Sequence, residues 1–332
     1  MPPPEPRSDA DDVSTRAAFD RRKLWFKVPA DWDIEEIDRF GPWITQTLFR
    51  RQDGKELEWN SRRHRKGFPL REIGSNDETR RWWARWLTAL WLPHRIGWWI
   101  SVLFMFGSLL FALSSFPGAN DIFDKQLIGL LPFIGAWGFT SAAFLQYLEA
   151  AKAPDNLATQ HRDSKPDWWA PQRIDWSSTF SQFVGTLAFN FMTTAALFAG
   201  TTMWDQRDFV WSPNVLGSIL FLLSGMLALF EVLPGSYGKS WHSRDLRIAF
   251  VNLLGCVLFM VSAIAAWVLP DGLLWDSSLA NVTTFLGALC FFLGALWLLP
   301  EQVDAIEQNE HVASDVASRQ MTKKASSTTT KS

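Results

Sequence analysis

Residues 214–225 read NVLGSILFLLSG, and residues 252–263 read NLLGCVLFMVSA. In both, a Gly stands three positions after an Asn, a small residue follows it, a Phe comes four positions after it, and small residues return seven and eight positions after it. The shorter core, Gly–small–x–x–Phe, occurs at Gly107–Ser108–Phe111, Gly135–Ala136–Phe139, Gly185–Thr186–Phe189, Gly217–Ser218–Phe221, Gly255–Cys256–Phe259 and Gly287–Ala288–Phe291. Each instance lies inside a run free of Asp, Glu, Lys and Arg: 96–120, 126–148, 176–204, 209–230, 248–270 and 277–300. A helix crosses the hydrocarbon core with about 20 apolar residues, and the shortest of these runs has 22. The sequence therefore predicts an all-α membrane protein with six transmembrane helices, at about 96–116, 127–149, 179–203, 212–232, 248–269 and 279–300.

The spacing has a mechanical meaning. Positions i, i+4, i+7 and i+8 share one helix face. Small residues on that face let two backbones approach, and such approach drives helix association in lipid. Gly107, Gly135, Gly185, Gly217, Gly255 and Gly287 are thus expected helix-packing positions, each with its Phe filling the space beside the notch. Fourteen residues after the Gly, the second, fourth and sixth runs carry Glu149, Glu231 and Glu301, whereas the others have Asp121, Ala199 and Leu269 there. The period is therefore two helices, which predicts three helical-hairpin repeats over 96–301. A pseudo-threefold arrangement would bring the three carboxylates to one end of the bundle.

The stretches FGSLLFALSS (106–115), LGSILFLLSG (216–225) and LGALCFFLGA (286–295) resemble helices of the YrhK-like domain of integral membrane proteins. The resemblance covers the membrane region and not residues 1–79. It implies a hairpin-built membrane fold; the family's activity is uncharacterised, so it transfers no catalytic residues.

The flanks set the topology. Residues 1–20 are Pro-rich and acidic and read as a disordered tail; residues 21–79 read as a small cytoplasmic segment with scattered aromatics. No apolar leader occurs in the first 30 residues, so the first span is expected to do the targeting. Residues 80–92, RRWWARWLTALWL, place Trp82, Trp86, Leu87, Leu90 and Trp91 on a broad face away from Arg81, Arg85 and Thr88, as expected of an interfacial amphipathic helix. Pro93 ends it. Residues 302–332 read as a polar C-terminal tail with a short helix after Glu301. The loops after the second and fourth spans hold Lys152, Arg162, Lys165, Arg173, Lys239, Arg244 and Arg247, against Lys125 and Arg207 in the alternate loops. The bias puts both termini in the cytoplasm of a multi-pass cell-membrane protein. Trp98, Trp99, Trp204, Trp211, Trp267, Trp275 and Trp297 border the runs, where the headgroup level suits the indole.

Composition excludes several classes. Lys+Arg is 32 and Asp+Glu is 34, so no net charge drives nucleic-acid binding. The two cysteines, Cys256 and Cys290, lie inside apolar runs and are not a disulfide framework. The five histidines, His64, His94, His161, His242 and His311, lack ligand spacing. No nucleophile elbow, zinc-protease helix or phosphate loop is spelled. The expectation is a protein that is not an enzyme, with no cofactor, no metal and the lipid bilayer as its medium.

Polar groups inside spans are the remaining pointers. Gln182, Asn214 and Asn252 stand three positions before a Gly, and Asn190 lies closest to mid-span; all are expected to bridge helices unless they line a polar path. Glu149, Glu231 and Glu301 form the candidate cation or proton site, but the favoured reading is that they are boundary residues near solvent with a Lys or Arg in reach. Arg62, Arg63, Arg65 and Lys66, in SRRHRKG (61–67), offer a contact for anionic lipid. Two functional classes follow: a non-enzymatic packed bundle with an interaction or envelope role, which is favoured, or a small cation- or proton-linked transporter or channel using the carboxylates. A dry bundle centre separates the first from the second.

Overall fold

The computed structural model describes residues 24–73, 82–157, 165–198, 205–233 and 243–329. The first finding is a correction to the all-α expectation. Residues 21–79 contain a four-stranded antiparallel sheet in the order β1 (Trp32–Phe40), β2 (Trp43–Arg51), β3 (Glu56–Asn60), β4 (Arg71–Glu72). β1 and β2 turn at Gly41, whose φ of +57° suits a residue without Cβ, and Phe40 pairs with Trp43 across the turn. Two register shifts, between Ile34 and Glu36 and between Asp38 and Arg39, interrupt the alternation of β1 and hide its period-two signature. Phe49 and Trp59 are fully buried with Phe26, Ile44 and Leu57, and Leu157 from the loop beyond the second membrane helix joins them. The module is thus built onto the helical part rather than strung beside it.

A one-and-a-half-turn helix, α1 (Ser61–Arg65), follows β3 directly. Asn60 caps it by accepting from the Arg63 N–H at 3.3 Å, and Gly67, at φ +76°, ends it. Within the 80–92 window, whose residues 80 and 81 lie outside the described residues, α2 (Trp82–Ala89) is helical and ends three residues before the window does. Trp83, Leu87, Leu90 and Trp91 face outward, Ala89 and Leu92 pack on Leu299 and Val303, and Arg85 turns inward to an ion pair with Asp304.

The long helices are α3 (Ile96–Ser115), α5 (Lys125–Ala151), α6 (Ile174–Phe198), α7 (Ser212–Val232), α8 (Arg244–Ala265) and α9 (Ser277–Thr329), with the short α4 (Ala119–Ile122) between α3 and α5. Five are long and apolar enough to cross a membrane: α3, α5, α7 with its preceding π-helical turn (Gln206–Trp211), α8, and Ser277–Glu310 of α9. α6 is as long, but Asp175, Gln182 and Asn190 together with its Ser and Thr residues make it more polar than the rest. The expected end of that span, residues 199–203, lies outside the described residues. α9 also departs from expectation: it runs unbroken through Pro300 to Thr329 where a polar tail was expected.

The six helices close into a ring, α3–α5–α6–α7–α8–α9 and back to α3. Between neighbours the glycines meet in pairs. A Cβ on Gly107 would lie 2.7 Å from the Gly135 carbonyl oxygen, one on Gly217 3.1 Å from that of Gly185, and one on Gly255 3.2 Å from that of Gly287. The absence of side chains lets the backbones approach this closely, most strictly at Gly107. Outward, α3 and α5 to α9 present an apolar belt that includes Phe106, Leu109, Trp137, Phe191, Leu223, Phe250 and Leu289. Exposed apolar surface on that scale fits a lipid surround; the protein is membrane-embedded through several apolar helices.

Candidate functional site

The axis of the ring is apolar. Phe111, Phe139, Phe189, Phe221, Phe259 and Phe291, one from each helix, are all buried and meet there. Phe139 lies 5.6 Å from Phe111 and 5.8 Å from Phe291 between ring centroids; Phe189 lies 5.0 Å from Phe221, and Phe259 lies 5.2 Å from Phe291. The void they leave with Ala136 is about 10 Å³ and has no polar lining. A water needs about that volume and two to four polar partners, so the centre is dry.

The polar side chains within the helices are spent on packing. The Asn190 amide donates to Thr140 Oγ1 at 2.7 Å, bridging α6 and α5. The Ser178 hydroxyl donates to the Ser224 carbonyl at 3.0 Å, and Ser262 and Thr284 share a 2.6 Å hydrogen bond. Gln182 and Asn214 are half-buried, and the Asn252 amide lies against Gly294, where no side chain intervenes. Cys256 and Cys290 are free thiols.

The three carboxylates do come together, and not as the boundary reading expects. Glu149, Glu231 and Glu301 are 4%, 1% and 4% exposed, so they do not sit in solvent. They face the basic helix α1. Lys66 Nζ donates to Glu301 Oε2 at 2.5 Å, and Arg62 Nη2 donates to the same oxygen at 3.4 Å. Arg62 Nε is 3.5 Å from Asp245 Oδ1 at the start of α8. Glu231 faces Arg65, Asp175, Arg62 and Ser61, and Glu149 lies within electrostatic reach of Arg62 and Lys66. Although Ser61 stands beside Glu231, neither carboxylate oxygen receives a hydrogen bond of full geometry among the described residues.

Burial works against charge at Arg62, but the carboxylates of Glu301, Asp245, Glu231 and Glu149 outweigh it and hold the guanidinium above its ordinary value. Lys66 goes the other way: burial, with Arg62 beside it, takes its ammonium below the usual lysine range despite Glu301 and Glu149. Around this centre stand further ties between module and bundle. Arg63 donates to Gln308 at 2.6 Å, His64 Nε2 is 2.7 Å from the Pro154 carbonyl, the Asn309 amide donates to the Gly67 carbonyl at 3.1 Å, and the Trp43 indole donates to the Pro171 carbonyl at 2.9 Å. Phe40 stacks on Phe230 at 3.8 Å. Arg173 pairs with Asp175 at 2.5 Å, both buried, and Arg244 pairs with Asp304 at 2.6 Å.

Arg62, Arg65 and Lys66 are 5%, 3% and 6% exposed and are buried against the carboxylate cluster, which needs countercharge. Arg63 lies over the Phe68 ring at 4.4 Å and is likewise engaged. Asp245, Asp175 and Asp304 belong to the cluster although sequence reading did not single them out. Each is acidic near a helix start or beyond Pro300, and that signal alone names no site. Among the described residues no group of His, Cys, Asp and Glu has the arrangement of a metal site.

Comparison with known proteins adds no identity: no family model matches the chain, and neither a curated protein nor a solved structure matches significantly. The class defined by the observations is therefore a membrane protein with a dry helical ring, capped at one end by a small sheet module through a buried ionic cluster.

Proposed function

We propose that the chain is a non-enzymatic multi-pass membrane protein with an interaction or envelope role, its six helices forming a closed bundle of three hairpins of the YrhK-like kind. In this reading α6 is the sixth span, carried across by its neighbours despite its polarity. The observation that carries the proposal is the axis sealed by six phenylalanines. Transport sites are usually built at the midplane from broken helices and polar backbone, whereas this centre holds only rings and a void of about 10 Å³. The glycine pairs Gly107–Gly135, Gly185–Gly217 and Gly255–Gly287 support the hairpin reading. In this reading Glu149, Glu231 and Glu301 anchor the sheet module, and the Lys/Arg bias of the loops supports a cytoplasmic side for that module, both termini and the 152–173 loop.

Reconstitution into sealed vesicles tests this. The wild-type chain should conduct no protons or monovalent cations above empty vesicles. A flux abolished by joint Glu149→Gln, Glu231→Gln and Glu301→Gln would replace the reading with the carboxylate transporter. For topology, single cysteines at Asp155 and at Asp271, in a chain with Cys256 and Cys290 replaced, should differ: only the second should react with an impermeant reagent on intact cells. Labelling of the first would overturn the orientation.

A further inference from the structure

The basic helix α1 has two sides: His64 packs on the module side against Trp25, Phe26 and Trp59, and the charged side chains meet the bundle. Its side chains Arg62, Arg65 and Lys66 are buried in the carboxylate end of the bundle, and other links between module and bundle include single hydrogen bonds at the Pro154, Gly67 and Pro171 carbonyls and at Gln308, with one ring stack, Phe40 on Phe230. The fit is also incomplete. Glu231 is 1% exposed, yet among the described residues neither of its oxygens receives a hydrogen bond of full geometry, although Ser61, Arg65 and Arg62 stand close by. A buried carboxylate left in that state costs free energy which a guanidinium, with its planar fork of donors, would recover. Removing a buried partner is costly because it leaves the other charge uncompensated, and a second basic group in the same place would restore the compensation. The arrangement has the marks of a receptor occupied by a tethered ligand.

We infer that the end of the bundle formed by Glu149, Glu231, Glu301 and Asp245 is a binding site for an arginine-bearing basic peptide segment, and that Ser61–Lys66 is its resident occupant. The partner is a protein whose exposed basic segment takes the place of α1 and frees the sheet module. The inference rests on reading the bundle as an interaction protein and names its partner's chemistry. The chain from Glu56 to Gly67 supplies the template: a short helix with cations at its second, fifth and sixth positions, corresponding to Arg62, Arg65 and Lys66.

A tether of this kind gives its ligand an effective concentration of about the millimolar range. A free peptide therefore competes poorly with the intact occupant and well with a weakened one. The probe is a synthetic peptide of residues 57–70, LEWNSRRHRKGFPL, with a control in which the positions of Arg62, Arg65 and Lys66 carry alanine. The full chain carrying Arg62→Ala and Lys66→Ala, in detergent, should melt lower than wild type and recover most of that loss when the basic peptide is added. Its affinity for the peptide should exceed that of the wild-type chain by about tenfold or more, as expected once the tethered competitor is weakened. Adding Glu231→Gln should abolish the recovery. A folded variant that ignores excess peptide, or responds equally to the control, would overturn the inference. Should that variant not fold, the wild-type chain decides: millimolar basic peptide should speed hydrogen exchange at Ser61–Gly67 and leave the axial helices protected, and unchanged exchange would overturn the inference. Vesicle flux is read separately, so a transporting protein would fail the functional reading without bearing on the peptide result.

Discussion

Replacing Gly107 by alanine puts the glycine contacts to a quantitative test. The new Cβ would stand 2.7 Å from the Gly135 carbonyl oxygen and 2.8 Å from Phe139 Cδ2. The first neighbour is backbone of the facing helix, so the two helices must move apart. At Gly287 the corresponding distances are 3.2 Å to the Gly255 carbonyl oxygen and 3.3 Å to Leu258 Cβ, which a shift of a few tenths of an ångström relieves. Two terms compete. Alanine in place of glycine favours a helix by about 0.8–1.0 kcal/mol. Overpacking costs about 1–3 kcal/mol. The first is common to both sites; the second is large at Gly107, where the backbone contact of 2.7 Å cannot be kept, and small at Gly287, where the backbone contact is 3.2 Å. With the overpacking cost at about 2–3 kcal/mol for a clash with backbone, Gly107→Ala should lose about 1–2 kcal/mol net, and with that cost at about 1 kcal/mol Gly287→Ala should be close to neutral. Gly217→Ala, at 3.1 Å from both the Gly185 carbonyl oxygen and the Phe189 ring, should fall between them. Unfolding of the purified chain in mixed micelles, followed by tryptophan fluorescence, gives the order. A Gly107→Ala chain as stable as wild type, or a Gly287→Ala chain less stable than it, would refute the reasoning.

Further outcomes follow from the other contacts. Phe139→Ala should destabilise by about 3–5 kcal/mol, because the ring meets Phe104, Phe111, Phe221 and Phe291 at an axis with nothing to refill it; micellar unfolding measures it, and a loss under about 1 kcal/mol would mean that the ring is not packed as described. Leu223→Ala, on the lipid face two residues beyond Phe221, should cost far less than Phe221→Ala in the same assay; Leu222 is no substitute as the outward-facing control, since it packs against the axial cluster. Glu301→Gln strips Lys66 and Arg62 of their shared acceptor and should destabilise by about 3–5 kcal/mol, and adding Lys66→Met should return part of that loss. A double variant no better than the single one would show that the pair is not coupled.

Much of the helical part was legible because its constraints are local and periodic. The six charge-free runs mark the helices of the ring to within a few residues at most ends, and Gly107, Gly135, Gly185, Gly217, Gly255 and Gly287 fall at the close approaches. The sheet was not legible. β1 carries Glu35, Glu36, Asp38 and Arg39 in nine residues, and its two register shifts break the alternation that identifies a strand. β2 is buried on both faces, so it too lacks a polar–apolar beat. α9 outran its expected end because the residues after Pro300, although polar, are good helix formers, and Pro300 interrupts one hydrogen bond without stopping the helix.

The ionic cluster shows why spacing revealed one half of a site and concealed the other. Glu149, Glu231 and Glu301 share an offset from a glycine, so their common level along the bundle follows from helix rise alone. Ten residues, about 15 Å, separate each from the phenylalanine on its own helix, which places the carboxylates well beyond the dry axis. What neutralises them cannot be read in this way, because Lys66 and Glu301 are 235 residues apart and belong to different kinds of structure. Yet the requirement itself was legible. Three carboxylates at one level of a ring of helices must either reach water or find cations. The run SRRHRKG is the densest basic segment in the chain, and it precedes the first membrane helix by only about thirty residues. Burial decides between the alternatives: since the glutamates are shielded from water, the basic segment has to enter the bundle end, and the strand-to-helix junction at Asn60 delivers it there as a capped turn. Fold and charge are thereby coupled. The sheet module docks because α1 carries countercharge, and the carboxylates stay buried because the module docks.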